Sequence, residues 1–132
     1  MSSLCYCDVL RKATRKTTAI YDAALTPAGV NLAQFSLLRK IQRAGSLSLS
    51  ELGRLAGLDR STVGRNVKVL QRMGLARVAP GEDHREATVT LNEKGLAVLR
   101  EAAPLWDAAQ RRIEDKLGEG GPDRLRALLV AL

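Results

Sequence analysis

The segment from Leu75 to Gly95, LARVAPGEDHREATVTLNEKG, restricts the fold more than any other part of the chain. Arg77, Val78 and Ala79 form a first extended run. Pro80-Gly81-Glu82-Asp83 makes a turn. Ala87, Val89 and Leu91 then alternate with Thr88 and Thr90, as a half-buried strand does. Asn92 follows as a helix cap. The segment therefore predicts a small β-hairpin whose turn region carries Asp83, His84 and Arg85, leading directly into a helix.

What precedes the hairpin is a compact pair of helices. Ser48 and Glu51 have capping-box spacing and open a short helix with Leu52 and Leu55 directed inward. Gly57 permits a tight turn, and Asp59 caps the next helix, from Arg60 to about Met73. This is helix-turn-helix spacing. At about 100° per residue, Arg65, Lys68 and Arg72 fall within roughly 40° of Ser61, whereas Val63, Val67 and Leu70 fall on the opposite side. Upstream, Asn31 and Gln34 cap another helix, with Phe35, Leu38 and Ile41 as its buried face. Gly45 stops it and Ser46–Leu47 forms an extended link.

The ends of the chain are helical as well. Ser2 or Ser3 caps a first helix to about Leu25, with an inner stripe through Cys7, Leu10, Ala13 or Thr14, Thr17, Ile20 or Tyr21, and Ala24. After Asn92 a long helix carries Leu96, Leu99, Ala103, Trp106, Gln110, Ile113 and Leu117 at 3-4 spacing, and Pro104 should kink it without ending it. Gly118–Gly121 forms a joint, and a last helix starting at Pro122 places Leu125, Leu128, Leu129 and Leu132 on one side. A leucine face on so short a terminal helix predicts burial against a second copy. The fold class is thus mainly α with a small β-hairpin wing. It divides into an N-terminal dimerisation helix (1–30), a winged helix-turn-helix unit (31–92) and C-terminal dimerisation helices (93–132), in one compact domain.

Charge indicates the partner. Of the formal net charge of +7, residues 31–92 supply +5, from ten Lys/Arg against five Asp/Glu, while residues 93–132 are neutral. An excess placed on the helix-turn-helix and wing favours a polyanion. No apolar run reaches the roughly 20 residues of a membrane span, and the first residues do not read as a signal peptide, so a cytoplasmic location without membrane association is expected. No catalytic constellation, phosphate loop or metal-ligand set is evident, so neither enzyme activity nor a cofactor or metal is expected. Cys5 and Cys7, if both are helical, point about 200° apart and do not readily bond to each other.

The chain resembles the MarR family of bacterial winged-helix regulators over nearly its whole length. The resemblance is carried by Asp83-His84-Arg85 followed by Val89-Thr90-Leu91-Asn92-Glu93-Lys94-Gly95, and also by Asp59-Arg60-Ser61-Thr62-Val63 and by Leu70 with Gly74-Leu75. It implies a homodimer on a pseudo-palindromic double-stranded DNA operator, most often as a repressor. The helix from Arg60 would lie in the major groove and the wing in the adjacent minor groove. Arg65 then offers a fork to guanine, Asn66 reads adenine if rotated inward, and Ser61 and Thr62 reach phosphates or base edges. Lys68 and Arg72 hold phosphates. Arg85 enters the minor groove, braced by Asp83. The first helix is similar to that of the organic-hydroperoxide-sensing branch, which places Cys7 on its reactive cysteine and Tyr21 on one of the tyrosines that hydrogen-bond it. Arg11 and Leu32 occupy that branch's other tyrosine positions. Cys5 would resolve an oxidised Cys7 on the other subunit. The effector is then an organic hydroperoxide, or a small phenolic ligand between the winged unit and the dimerisation helices. The other readings are a winged-helix protein-interaction module, which the clustering of Ser61, Arg65, Lys68 and Arg72 opposes, and a non-specific architectural DNA binder.

Overall fold

The computed structural model describes residues 4–82 and 86–132. Helix α1 (Tyr6–Leu25) runs through a 3-10 turn (Thr26–Ala28) to α2 (Leu32–Ala44). Strand β1 (Leu47–Ser48) leads into α3 (Leu49–Ala56) and α4 (Arg60–Arg72). Strands β2 (Ala76–Ala79) and β3 (Thr88–Leu91) form the hairpin, and α5 (Glu93–Leu117) and α6 (Gly121–Val130) complete the chain. The expected caps Ser2 and Ser3, and Asp83, His84 and Arg85 of the turn, lie outside the described residues.

Local chemistry sets most boundaries. The Asn31 side chain accepts from the Gln34 amide while the Gln34 side chain accepts from the Asn31 amide, a complete capping box. Ser48, Asp59 and Asn92 each accept from the amide three residues on, at the starts of α3, α4 and α5. Gly57 closes α3 with φ of 68°, in the left-handed region where a side chain is disfavoured.

The sheet contains one strand more than the hairpin. Its antiparallel order is β1-β3-β2, with Leu47 opposite Val89 and Val78 opposite Val89 from the other side. The extended link expected at Ser46–Leu47 is instead an edge strand over Leu47–Ser48, and Leu47 and Val89 are both buried. A single core runs from Leu25 through Phe35, Leu38, Ile41, Leu52, Val63, Leu70 and Val89 to Leu99 and Ala102. Gly95 fits there by close approach: a Cβ on it would lie 2.1 Å from the Leu75 carbonyl oxygen.

Three expectations about burial are corrected. Leu55 is 55% exposed. The core sector of α3 is Leu52, Ala56 and Gly53, because Gly53 packs against Leu58 and Val63 as α4 crosses it. On α5 the buried positions are Gly95, Leu99, Ala102 and Ala109, while Ala103 and Leu117 are exposed. The inward sector is therefore turned by roughly 50° from the expected stripe. On α1 the stripe is buried only toward its end: residues 6–16 are exposed, including Cys7 and Leu10, and full burial begins at Leu25. That first half is left uncovered among the described residues, whereas Tyr21 stacks on Trp106 of α5 (centroids 6.0 Å apart) and donates its hydroxyl to Gln110. Helix α5 runs unbroken through Pro104.

Candidate nucleic-acid interface

Helix α4 has two unlike faces. Val63, Val67 and Leu70 are buried, which fixes its rotation on α3 and β2. Ser61, Arg65, Lys68 and Arg72 are all exposed on the opposite side, as the 100° spacing requires. No acidic group lies within ion-pair distance of Arg65, Lys68 or Arg72 among the described residues. Their positive charge is therefore offered outward.

The start of α4 is pre-ordered. Asp59 Oδ1 accepts from the Thr62 amide at 2.8 Å and from the Ser61 hydroxyl at 2.8 Å. The Thr62 amide, then the Ser61 and Thr62 side chains and the Arg65 charge, hold the Asp59 carboxyl below the usual carboxylate range. Arg65 Nη2 donates to Thr62 Oγ1 at 3.3 Å, which steadies a long side chain at the exposed face. Asn66 is not on that face. It sits about 140° round from Ser61 by the same spacing, lining a small recess with Asn31, Gln34 and Leu37 of the α2 side.

Arg60 is placed differently again. Its Nη2 lies 3.3 Å from Glu86 Oε1 at the root of β3. The same oxygen accepts from the Ser50 amide at 3.0 Å and from the Ser50 hydroxyl at 2.8 Å. Sequence reasoning missed Glu86 and Ser50. They are 36 positions apart, and no spacing rule links them.

A second constellation lies between α2 and α5. A cleft of about 360 Å³ is lined by Phe35, Arg39, Arg43, Arg100, Trp106 and Asp107. The Arg39 guanidinium carbon stands 4.6 Å from the Trp106 ring centroid and 5.4 Å from that of Phe35, so one cation faces two rings that stack on each other with centroids 6.2 Å apart. Nearby Lys40 is pushed below its ordinary pKa by burial and then by the Arg39 and Arg43 charges. The region combines aromatic planes with concentrated positive charge.

The thiols depart from the sequence geometry. Cys5 is not helical: it is the extended residue before α1, with φ −62° and ψ 131°. The roughly 200° separation of two helical positions two apart therefore does not apply to this pair. The Asp8 amide first, then the Cys7 amide and thiol, lower the Cys5 pKa. Both thiols are exposed. Tyr21 lies 14 residues beyond Cys7 on the same helix, about 21 Å along its axis, so the structure does not bring them together within one chain. Burial, followed by the Glu114 charge, raises the Tyr21 pKa, with Arg126 opposing.

Comparison with known proteins places these features. A sequence model of the MarR family matches residues 28–86. The HTH-type transcriptional repressor Rv2887 of Mycobacterium tuberculosis is 31% identical over 96 residues, covering 72% of this chain and 69% of the relative. The crystal structure of the M. tuberculosis transcriptional regulator MosR in complex with DNA superposes with a TM-score of 0.88 at 36% identity, covering 97% of this chain and 92% of that one. A mutant MarR from E. coli complexed with operator DNA superposes with a TM-score of 0.87 at 21% identity, covering 94% and 90%, a likeness of fold.

Proposed function

The chain belongs to the MarR family of transcriptional regulators, and we propose that it is a homodimeric repressor reading a pseudo-palindromic operator with α4 and the wing. The observation that carries this is the exposed face of Ser61, Arg65, Lys68 and Arg72, whose three cations have no carboxylate within ion-pair distance among the described residues, on a helix locked by its opposite side. In a major groove Arg65 supplies the bidentate donor for guanine, with Ser61 and Thr62 at the helix start. Lys68 and Arg72, further along, meet phosphates and set affinity. Arg60 and the wing residues Asp83 and Arg85 also contact DNA in this reading, and Asn66 contributes only after rotating out of its recess. MosR and the E. coli MarR mutant, both captured with DNA, support it.

Dimerisation is supported by what the chain leaves uncovered. Of twelve exposed large apolar residues among those described, ten lie at positions 4–10 or 117–132, among them Tyr6, Val9, Leu125, Leu128 and Leu132. Segments 1–30 and 93–132 thus act as dimerisation segments around the winged unit 31–92. A second copy would also be needed to bring a Tyr21 to Cys7. Release by an organic hydroperoxide is favoured by the thiol pair. A Cys7 thiolate attacks the peroxide, the O–O bond breaks to leave a sulfenic acid and an alcohol, and Cys5 of the other subunit condenses with it, losing water. The α2–α5 cleft supports a second effector class, a small aromatic anion over Arg39 and Trp106.

Selection of bound duplexes from a random library tests the reading. Enrichment of inverted repeats whose half-sites lie about one helical turn apart, bound by two protomers, is expected. Enrichment of no sequence, or of a single half-site bound by one chain, would overturn it.

A further inference from the structure

One oxygen of Glu86 gathers three donors from two helices: the amide and hydroxyl of Ser50 in the first turn of α3, and the guanidinium of Arg60, first residue of α4. The Ser50 amide is a first-turn donor with no partner inside its helix. The Glu86 side chain is 23% exposed and that of Arg60 67% exposed, so the carboxylate is held inside while the cation faces solvent. By helical spacing Arg60 lies roughly 100° from Ser61, off the base-reading face and on the flank toward the wing.

We propose that Glu86 is a positioning residue that sets sequence discrimination by holding Arg60 in one place; this rests on the DNA-binding reading above. A lone exposed arginine takes a phosphate from any duplex that drifts past, which adds affinity without information. An arginine tied by one nitrogen to a carboxylate, itself anchored to α3, presents its remaining donors at one fixed point. A backbone phosphate meets that point only when α4 is seated in register. The Glu86 charge also cancels much of the attraction Arg60 would exert on an unregistered duplex. The residue therefore weakens non-specific binding more than specific binding.

Glu86→Gln isolates the effect, because its amide oxygen still accepts from Ser50 while the charge is gone. The probes are a duplex selected by the wild-type protein and a shuffled duplex of the same composition, compared by anisotropy across a salt series. For Glu86→Gln we expect tighter binding to the shuffled duplex and a several-fold fall in the selected-to-shuffled ratio. The salt dependence on the shuffled duplex should steepen by about 0.9, one added phosphate. In an Arg60→Gln background the same substitution should do nothing. An unchanged ratio and slope, a parallel loss on both duplexes, or the same change without Arg60 would each overturn the proposal. A wild-type protein that shows no preference for any duplex would instead remove the DNA-binding reading on which it stands.

Discussion

Gly95→Ala tests how the winged unit is joined to α5. Gly95 is the third residue of α5, and its amide donates to the Asn92 cap at 3.0 Å. A methyl group there would lie 2.1 Å from the Leu75 carbonyl oxygen and 3.1 Å from its carbon. Carbon and oxygen normally approach no closer than roughly 3.3 Å, so one backbone must retreat by about 1 Å. Neither can do so freely. Leu75 is 1% exposed in the core, and its carbonyl also accepts from the Asn92 amide at 3.3 Å. Overpacking of this kind costs about 3 kcal/mol at its upper end. The better helix propensity of alanine returns about 1 kcal/mol. The net loss of about 2 kcal/mol lowers Tm by roughly 8 °C for a chain of this length. Gly64→Ala is the control, since nothing lies within 4 Å of a Cβ there, inside α4. It should gain about 1 kcal/mol. Thermal unfolding at one fixed protomer concentration reads both. A Gly95→Ala protein that melts with or above wild type would refute the close-approach argument.

Further outcomes follow from the same geometry. The Asp59 carboxyl titrates lower folded than unfolded, so its contribution is complete above about pH 4 and is lost as pH falls through the folded value. Asp59→Asn, which keeps an acceptor at the cap, should flatten the urea midpoint between pH 5 and pH 2, and an unaltered slope would contradict the assignment. Alkylation of Cys5 in a Cys7→Ser protein should reach half its maximal rate below the ordinary thiol value of about 8.5, because the Asp8 amide dominates its shift; a midpoint at or above that value would count against thiolate stabilisation. Trp106 is the single tryptophan, so benzoate entering the α2–α5 cleft should change the protein's fluorescence, and Arg39→Ala should abolish that change. A signal unaffected by millimolar benzoate would discard the cleft as an aromatic-anion site.

The parts of this molecule that a linear reading reaches are those fixed by neighbours in sequence. The Asn31–Gln34 capping box, the Asp59 cap and the split of α4 into valine and arginine faces all depend on positions three or four apart, and each stands where spacing put it. Strand β1 escaped notice because two residues cannot display an alternation. Leu55 was assigned inward by its apolarity, but the approach of α4 on Gly53 decides which side of α3 is core. Ala102 and Ala109 look unremarkable beside Ala103 until the packing of α1 on α5 shows which side of that helix is covered. The extended backbone of Cys5 depends on α1 beginning one residue after it, a boundary the serines upstream obscured. Glu86 is tied to Ser50 across most of the winged unit, a distance at which only the folded chain is informative.

The central claim is that the Arg65 face of α4 reads sequence. Anisotropy with the selected and shuffled duplexes at one fixed salt concentration, comparing wild type with Arg65→Ala, tests it most directly. The account predicts a strong wild-type preference for the selected duplex. Arg65→Ala should weaken that complex by about 1–3 kcal/mol while leaving the shuffled complex nearly unchanged. Equal losses on both duplexes would mean that Arg65 serves only as a phosphate contact, and no loss on either would remove α4 from recognition.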